Sequence, residues 1–249
     1  MLANRMRMGG LPAYIANAAD FDGTNDYMLR GAGFTGAADS STGIFSCWIR
    51  LDGGDGANRG ILLNALQSVI IRRDSTNKIF IAVYNTAGTA SLDVYSATNY
   101  TASTTWLNIL CSWSTNFTAG NKIMNFYVNS VDDKGVSNDA NGAFTVDYTD
   151  TNWCVGTTNI FGGEKFNGCM SEIYFAPGQY LDFTNSANRA KFISGGKPVD
   201  LGTDGSIPTG TAPILYLREV AASFNTNSGT GGNMTITGTL DIASTSPSD

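Results

Sequence analysis

The 249-residue chain contains no histidine. That excludes Ser-His-Asp and Cys-His nucleophile systems and every His-ligated zinc site. Glutamate is nearly missing as well, with only Glu164, Glu172 and Glu219. Charged residues make up 14% of the chain, against about 25% in an average soluble protein. Long amphipathic helices carry Glu and Lys on their wet face, so a helical bundle is excluded. Basic residues are few and scattered, and the net charge is −6. A nucleic-acid groove needs clustered Lys and Arg, and none is present. No apolar run approaches the ~20 residues of a membrane span. Two arginines near the start, Arg5 and Arg7, are not followed by the apolar stretch of a signal peptide, so synthesis in the cytoplasm is expected.

What replaces charge is 71 Ser, Thr and Asn residues and 29 Gly. That mixture favours strands and turns. Alternation with a period of two is clearest in 43–52, where Phe45, Cys47, Ile49 and Leu51 oppose Ser46, Trp48 and Arg50. It returns in 106–113 and 122–129, and further strand-like runs are 59–65, 68–73, 78–84, 91–95, 152–156 and 167–175. Within 68–73 the doublet Arg72-Arg73 sends its two side chains to opposite faces. Polar turns separate these runs, among them Asp52-Gly-Gly-Asp-Gly56 and 129–135. One helix is predicted, from Asn185 to Ile193, ended by Gly195-Gly196. Four of the six prolines fall between Pro177 and Pro213, so 197–213 reads as an extended loop. Edge strands are expected within 212–218 and 234–242.

The expected fold is all-β: a two-sheet antiparallel sandwich with one short helix near the C-terminal side. The expected organisation is an N-terminal arm over 1–17, a main domain over 18–176, and a C-terminal extension over 177–249. That extension packs on the sandwich or extends it.

Several segments resemble the concanavalin A-like lectin/glucanase superfamily, in its laminin-G-like and pentraxin-like branches. They are Phe21-Asp-Gly-Thr-Asn-Asp-Tyr27, Phe45-Ser-Cys-Trp-Ile-Arg50, Trp106-Leu-Asn-Ile-Leu-Cys-Ser-Trp113, Phe126-Tyr-Val-Asn129 and Asn167-Gly-Cys-Met-Ser-Glu-Ile-Tyr174. The resemblance implies a jelly roll over residues 18–176. Ile193-Ser-Gly-Gly-Lys-Pro-Val-Asp-Leu-Gly202 and Ala212-Pro-Ile-Leu-Tyr-Leu217 are similar to tails on such domains in tailed-bacteriophage structural proteins. This implies a virion protein made in the bacterial host: a decoration, head-fibre or tail-attachment module. Its partners would be copies of itself, phage shell or tail proteins, and cell-surface glycans, without nucleic acid or membrane. The alternatives are a bacterial lectin domain and, third, a glycoside hydrolase.

The glucanase branch carries Glu-x-Asp-x-x-Glu on one strand, whereas the glutamates here lie eight and forty-seven residues apart. No catalytic residue is assigned, and a non-enzymatic role is expected. The pentraxin-like calcium loop falls at 154–163, which holds no carboxylate, and Asp52 with Asp55 reads as a hairpin turn. No metal site or cofactor is assigned. Cys47 and Cys111 match positions that pentraxin-like domains join, but all four cysteines sit in strand-like runs and are expected as reduced thiols. Alternation places Trp48 and Arg50, then Trp106, Asn108 and Leu110, then Asn125 and Tyr127 on one outer sheet face. Relatives bind sugars across such a face, so Trp48, Arg50, Asn108, Asn125 and Tyr127 are the candidate binding residues. Burial of the same patch by loops or a neighbour is the competing reading, favoured by Leu110 and Ile123.

Overall fold

The computed structural model describes residues 14–158 and 163–249. In chain order the strands begin with β1 (Ala19–Asp22), β2 (Tyr27–Arg30), β3 (Thr42–Leu51), β4 (Arg59–Leu63), β5 (Val69–Arg73), β6 (Ile79–Tyr84) and β7 (Ser91–Ser96). They continue with β8 (Leu107–Ser114), β9 (Ile123–Val128), β10 (Val131–Asp132), β11 (Lys134–Asn138), β12 (Trp153–Val155) and β13 (Asn167–Pro177). The C-terminal part adds α1 (Ser186–Arg189), the hairpin of β14 (Ile193–Ser194) and β15 (Lys197–Pro198), then β16 (Leu215–Leu217), β17 (Thr235–Thr237) and β18 (Asp241–Ile242).

Among the described residues these strands form two eight-stranded antiparallel sheets. The first has the order β10-β9-β8-β3-β13-β1-β18, with β16 also pairing β13 beyond the end of β1. The second has the order β11-β7-β6-β5-β4-β12-β2-β17. The two inner faces meet in one core, to which β3 contributes Phe45, Cys47, Ile49 and Leu51, as the alternation predicts. Trp113, Phe175 and Trp153 run through its centre, with Phe175 5.4 Å from Trp153 and 6.4 Å from Trp113. Trp113 lies across Gly43, its cross-strand partner, where an added Cβ would come within 2.3 Å of the indole. Glycine there makes room for the largest side chain in the core. The indole nitrogen donates to the Tyr148 hydroxyl at 2.7 Å, and that hydroxyl donates to the Thr42 carbonyl at 2.9 Å. All four cysteines are free thiols and buried, with burial pushing the Cys154 thiol up to about 12.

Three local expectations are corrected. The segment 52–56 is no hairpin: it carries the chain from β3 in the first sheet to β4 in the second. Asp55 is held there by Arg73, at 2.7 Å, because that buried guanidinium needs a counter-charge. The helix stops at Arg189, since Ile193 is drawn into a hairpin whose turn residues Gly195 and Gly196 both have positive φ. The turn expected over 129–135 contains β10 and the start of β11, edge strands too short and too polar for a periodic signal. The arm expected over 1–17 falls mostly outside the described residues, with Tyr14 to Asn17 inside them.

Residues beyond 177 serve both sheets. Phe183, Phe192 and Leu201 pack on Ile44, Leu110, Tyr127 and Tyr174 of the first sheet's outer face. β17 and β18 become the edge strands of the two sheets. A bulge in β13 between Ser171 and Tyr174 puts Glu172 at φ +50° and buries its carboxylate. Tyr14 and Tyr216 donate to its two oxygens at 2.6 Å and 2.5 Å. The Arg218 guanidinium stacks between the two tyrosine rings.

Two variants test this account. Tyr148→Phe leaves the Trp113 indole N–H and the Thr42 carbonyl without their partner, so it should cost about 1–3 kcal/mol in urea unfolding. Glu172 has its pKa raised, chiefly by desolvation. The folded protein therefore holds a proton that the unfolded chain has already lost, and stability falls as pH rises above the ordinary carboxylate value. Glu172→Gln should remove that fall, read as urea midpoints between about pH 4 and 7.

Candidate functional site

The five residues picked from sequence do share the outer face of the first sheet, but that face is covered. Asn108 is 0% exposed, Trp48 2%, Tyr127 7%, Arg50 8% and Asn125 9%. Their polar groups are engaged within the protein. Arg50 forms an ion pair with Asp52 at 2.7 Å, and donates to Thr245 at 2.8 Å. Asn125 donates to Ser112 at 3.2 Å, and Asn108 to the Cys47 carbonyl at 3.4 Å. The guanidinium of Arg189, from α1, lies 4.5 Å over the Tyr127 ring. An open binding face at these positions is therefore corrected. Residues from 177 onward take the place a ligand would need.

The second sheet is different. Its outer face carries Leu63, Ile70, Phe80 and Ala82, themselves 0–6% exposed, flanked by half-buried Tyr84 and Tyr95, and every residue in this cluster comes from β4 to β7. No hydrophobic residue from beyond 177 joins this cluster. Pairing sets the layout. Arg72 of β5 lies opposite Phe80 of β6, which lies opposite Tyr95 of β7. One row along, Ala82 lies opposite Asp93, and Asp93 opposite Asn138 of β11. Phe80 and Tyr95 stack with centroids 4.4 Å apart and an interplanar angle of 34°. Arg72 sits over the other side of Phe80, its Cζ 5.2 Å from the ring centroid.

Beyond the end of β6 this face runs into a cleft of about 230 Å³ lined by Leu66, Gln67, Tyr84, Asn85 and Asp147. Tyr84 belongs to both. Among the described residues neither the Tyr84 nor the Tyr95 hydroxyl has a hydrogen-bond partner within the protein, and both rings are half-buried. Burial raises the pKa of both phenols, and nearby Asp93 adds to this, so they stay protonated donors at neutral pH. Asp93 is itself raised by burial, against the pull of Asn138, which donates to it at 3.3 Å. Aromatic rings, phenol donors, an amide, a carboxylate and a guanidinium thus border one surface, on which Arg72, Tyr84 and Tyr95 are half-buried beside the buried Phe80 and Ala82. Such a surface can stack on the C–H face of a ring and bond its hydroxyls. Alternation marked these strands in the sequence. It did not single out Tyr84, Tyr95 and Arg72, whose shared outward parity was the available signal.

A second cluster brings Asp20, Asp52 and Cys169 within 4.8 Å of one another. Arg50 already supplies the positive charge there through Asp52. The segment 154–163, weighed as a calcium loop, lies partly outside the described residues.

Comparison with solved structures places this architecture. A candidate carbohydrate binding protein from Bacteroides ovatus superposes with a TM-score of 0.62 at 16% identity, covering 94% of this chain and 62% of that one. The chain thus spans less than two thirds of that protein's length. The heptameric SAP-like pentraxin of Limulus polyphemus gives 0.54 at 12% identity, covering 93% and 98% of the two chains. The fold is the concanavalin A-like jelly roll. Domains LG4-5 of the mouse laminin alpha1 chain superpose with a TM-score of 0.46 at 15% identity, covering 70% of this chain and 45% of that one. No protein-family model and no curated protein sequence matches the chain.

The two outer faces of the jelly roll should respond differently to truncation. Trp48→Ala removes a fully covered indole and should cost about 3–5 kcal/mol in chemical denaturation. Tyr95→Ala removes a half-exposed ring and its stack on Phe80, at about 0.5–1.5 kcal/mol.

Proposed function

We propose that the chain is a non-enzymatic carbohydrate-binding module that works on the surface of a tailed-phage particle, holding cell-surface glycans. The observation that carries the binding role is the outer face of the second sheet, where half-buried Tyr84 and Tyr95 present phenols with no hydrogen-bond partner among the described residues, beside Asp93, Asn138 and the cleft. The likeness in fold to a candidate carbohydrate binding protein supports it.

The non-catalytic part is supported by the state of the nearby carboxylates. Glycosidases need two carboxyl groups aimed at one bond, one of them free to give up a proton. Asp93 accepts from Asn138, Asp74 from Thr76 and the Lys78 backbone, and Asp147 from Thr149. Each is committed to local structure. The virion placement is supported by the Ser/Thr/Asn/Gly-rich composition and by the resemblance of 193–202 and 212–217 to phage structural proteins. Self-association or docking on a shell protein belongs to the same proposal.

Two measurements test it. On an array of bacterial surface polysaccharides the protein should bind without releasing reducing sugar, and Tyr84→Ala with Tyr95→Ala should lower binding at least about tenfold, given stacking of ~1 kcal/mol or more per ring. Sugar release, or binding indifferent to both tyrosines, would overturn the reading of this face. Labelled protein should also be found on purified phage particles, and its absence from them would remove the virion role alone.

A further inference from the structure

We infer that this face selects glycans bearing a carboxylate, and that Arg72 makes the selection. This rests on the glycan-binding reading above and names its ligand class. Seven arginines lie among the described residues. Six donate hydrogen bonds to protein groups: Arg30 to the Gly33 carbonyl, Arg50 to Asp52, Arg59 to the Gly54 carbonyl, Arg73 to Asp55, Arg189 to Ser130 and Arg218 to the Gly202 carbonyl. Arg72 donates none from its side chain to any described residue, and its Nε is buried without a partner. In a chain of net charge −6 this guanidinium forms no ion pair with any described residue.

The placement of Arg72 suits a ligand. Its guanidinium carbon lies 5.2 Å over Phe80, which is backed in turn by Tyr95, so the charged group is held at this point of the face. Oriented guanidinium N–H groups match the two oxygens of a carboxylate and bind them in parallel. Asp93 does not take this role, since it forms no ion pair with Arg72 and sits in the next row, beside Tyr84 and Tyr95. Arg72 and Tyr84 are separated along the strand direction by four residues of β6, about 13 Å. A sugar chain spanning them would put its acidic unit at Arg72 and a neutral unit at the cleft beside Tyr84. The competing role for Arg72 is to shield Phe80 from water with its aliphatic stem. That role needs no carboxylate.

The experiment uses the full chain on an array of hexuronate- and nonulosonate-bearing oligosaccharides. Each is printed beside its carboxyl-reduced counterpart and beside neutral oligosaccharides carrying sulfate esters. The wild-type protein should bind at least one acidic glycan about tenfold to a hundredfold more tightly than its reduced form, the range expected for charge-assisted bonds. Arg72→Gln should lose the same factor on the acidic glycan and nothing on the reduced one, while Arg72→Lys recovers only part. Equal binding of acidic and reduced forms, an unaffected Arg72→Gln, or signal that follows sulfate esters would overturn the inference and leave glycan binding standing. Absence of binding to every glycan, or binding that survives loss of both Tyr84 and Tyr95, would overturn both. The comparison of acidic with reduced glycan needs only the wild-type protein, so it holds even where a variant fails to fold.

Discussion

Each sheet of a sandwich has two faces, and its partner sheet can bury only one of them. How the second face of each sheet is treated decides where this molecule can meet anything else. On the first sheet, Tyr174 packs edge-on against Phe192 at 5.3 Å, and Phe192 packs edge-on against Phe183 at 5.7 Å. Fully burying one such side chain stabilises by about 1.5–3 kcal/mol, so the group fixes the extension firmly. The polar residues of that face become internal joints: Ser112 donates to the Leu181 carbonyl, and Arg50 to Ser244 and Thr245. The second sheet receives no such layer among the described residues. Its outer face leaves Arg72, Tyr84 and Tyr95 half-buried, beside the buried Phe80.

The same extension also closes the sandwich at one edge. β1 and β2 belong to different sheets, as do β17 and β18, and the two crossings run side by side. Asp26 ties them: its carboxylate accepts the Thr239 amide at 2.8 Å and the Asp22 amide at 3.2 Å. A sandwich edge is otherwise a row of unpaired backbone groups open to stray pairing. Here that edge ends in strands of two and three residues, and the far edge of the second sheet ends in β11, which is bulged between Lys134 and Ser137. The Glu172 joint serves the same closure from within. Its bulge lets β13 pair with β1 over one half and β16 over the other, while Tyr14 and Tyr216 bring segments some two hundred residues apart to one carboxylate.

The strands of the core were legible because a period of two is a local property. Phe45, Cys47, Ile49 and Leu51 face inward whatever lies further along the chain. What covers the opposite side is not local. Ile44, Leu110 and Tyr127 look the same in sequence whether they meet water, a sugar or a ring from residues 183–192, some sixty residues further on in the case of Tyr127. Of the two readings of that patch, burial is the one the structure shows, and the identity of its cover is what alternation could not supply. β10 and β11 escaped for the opposite reason. Edge strands that are exposed on both sides carry no alternation, and 131–138 resembles a turn by composition.

The doublet Arg72-Arg73 shows how far one pleat separates two identical side chains. Both lie in β5, one residue apart, so one points into the sandwich and the other away from it. Inside, Arg73 is fully buried, and removal from water is tolerable because Asp55 pairs with it at 2.7 Å and the Gly53 carbonyl accepts at 2.8 Å. That requirement fixes the 52–56 crossing, because Asp55 and Gly53 are drawn from it. Stripping a counter-ion from such a site costs about 3–5 kcal/mol, so the inner arginine is bound to the fold. Outside, Arg72 has no acidic partner among the described residues, and its Cζ lies 5.2 Å over the Phe80 ring, which satisfies none of its N–H groups. The inner arginine organises the chain. The outer one is positioned by that organisation and keeps its hydrogen-bonding capacity, which is the condition a charge must meet to recognise something that is not part of the protein.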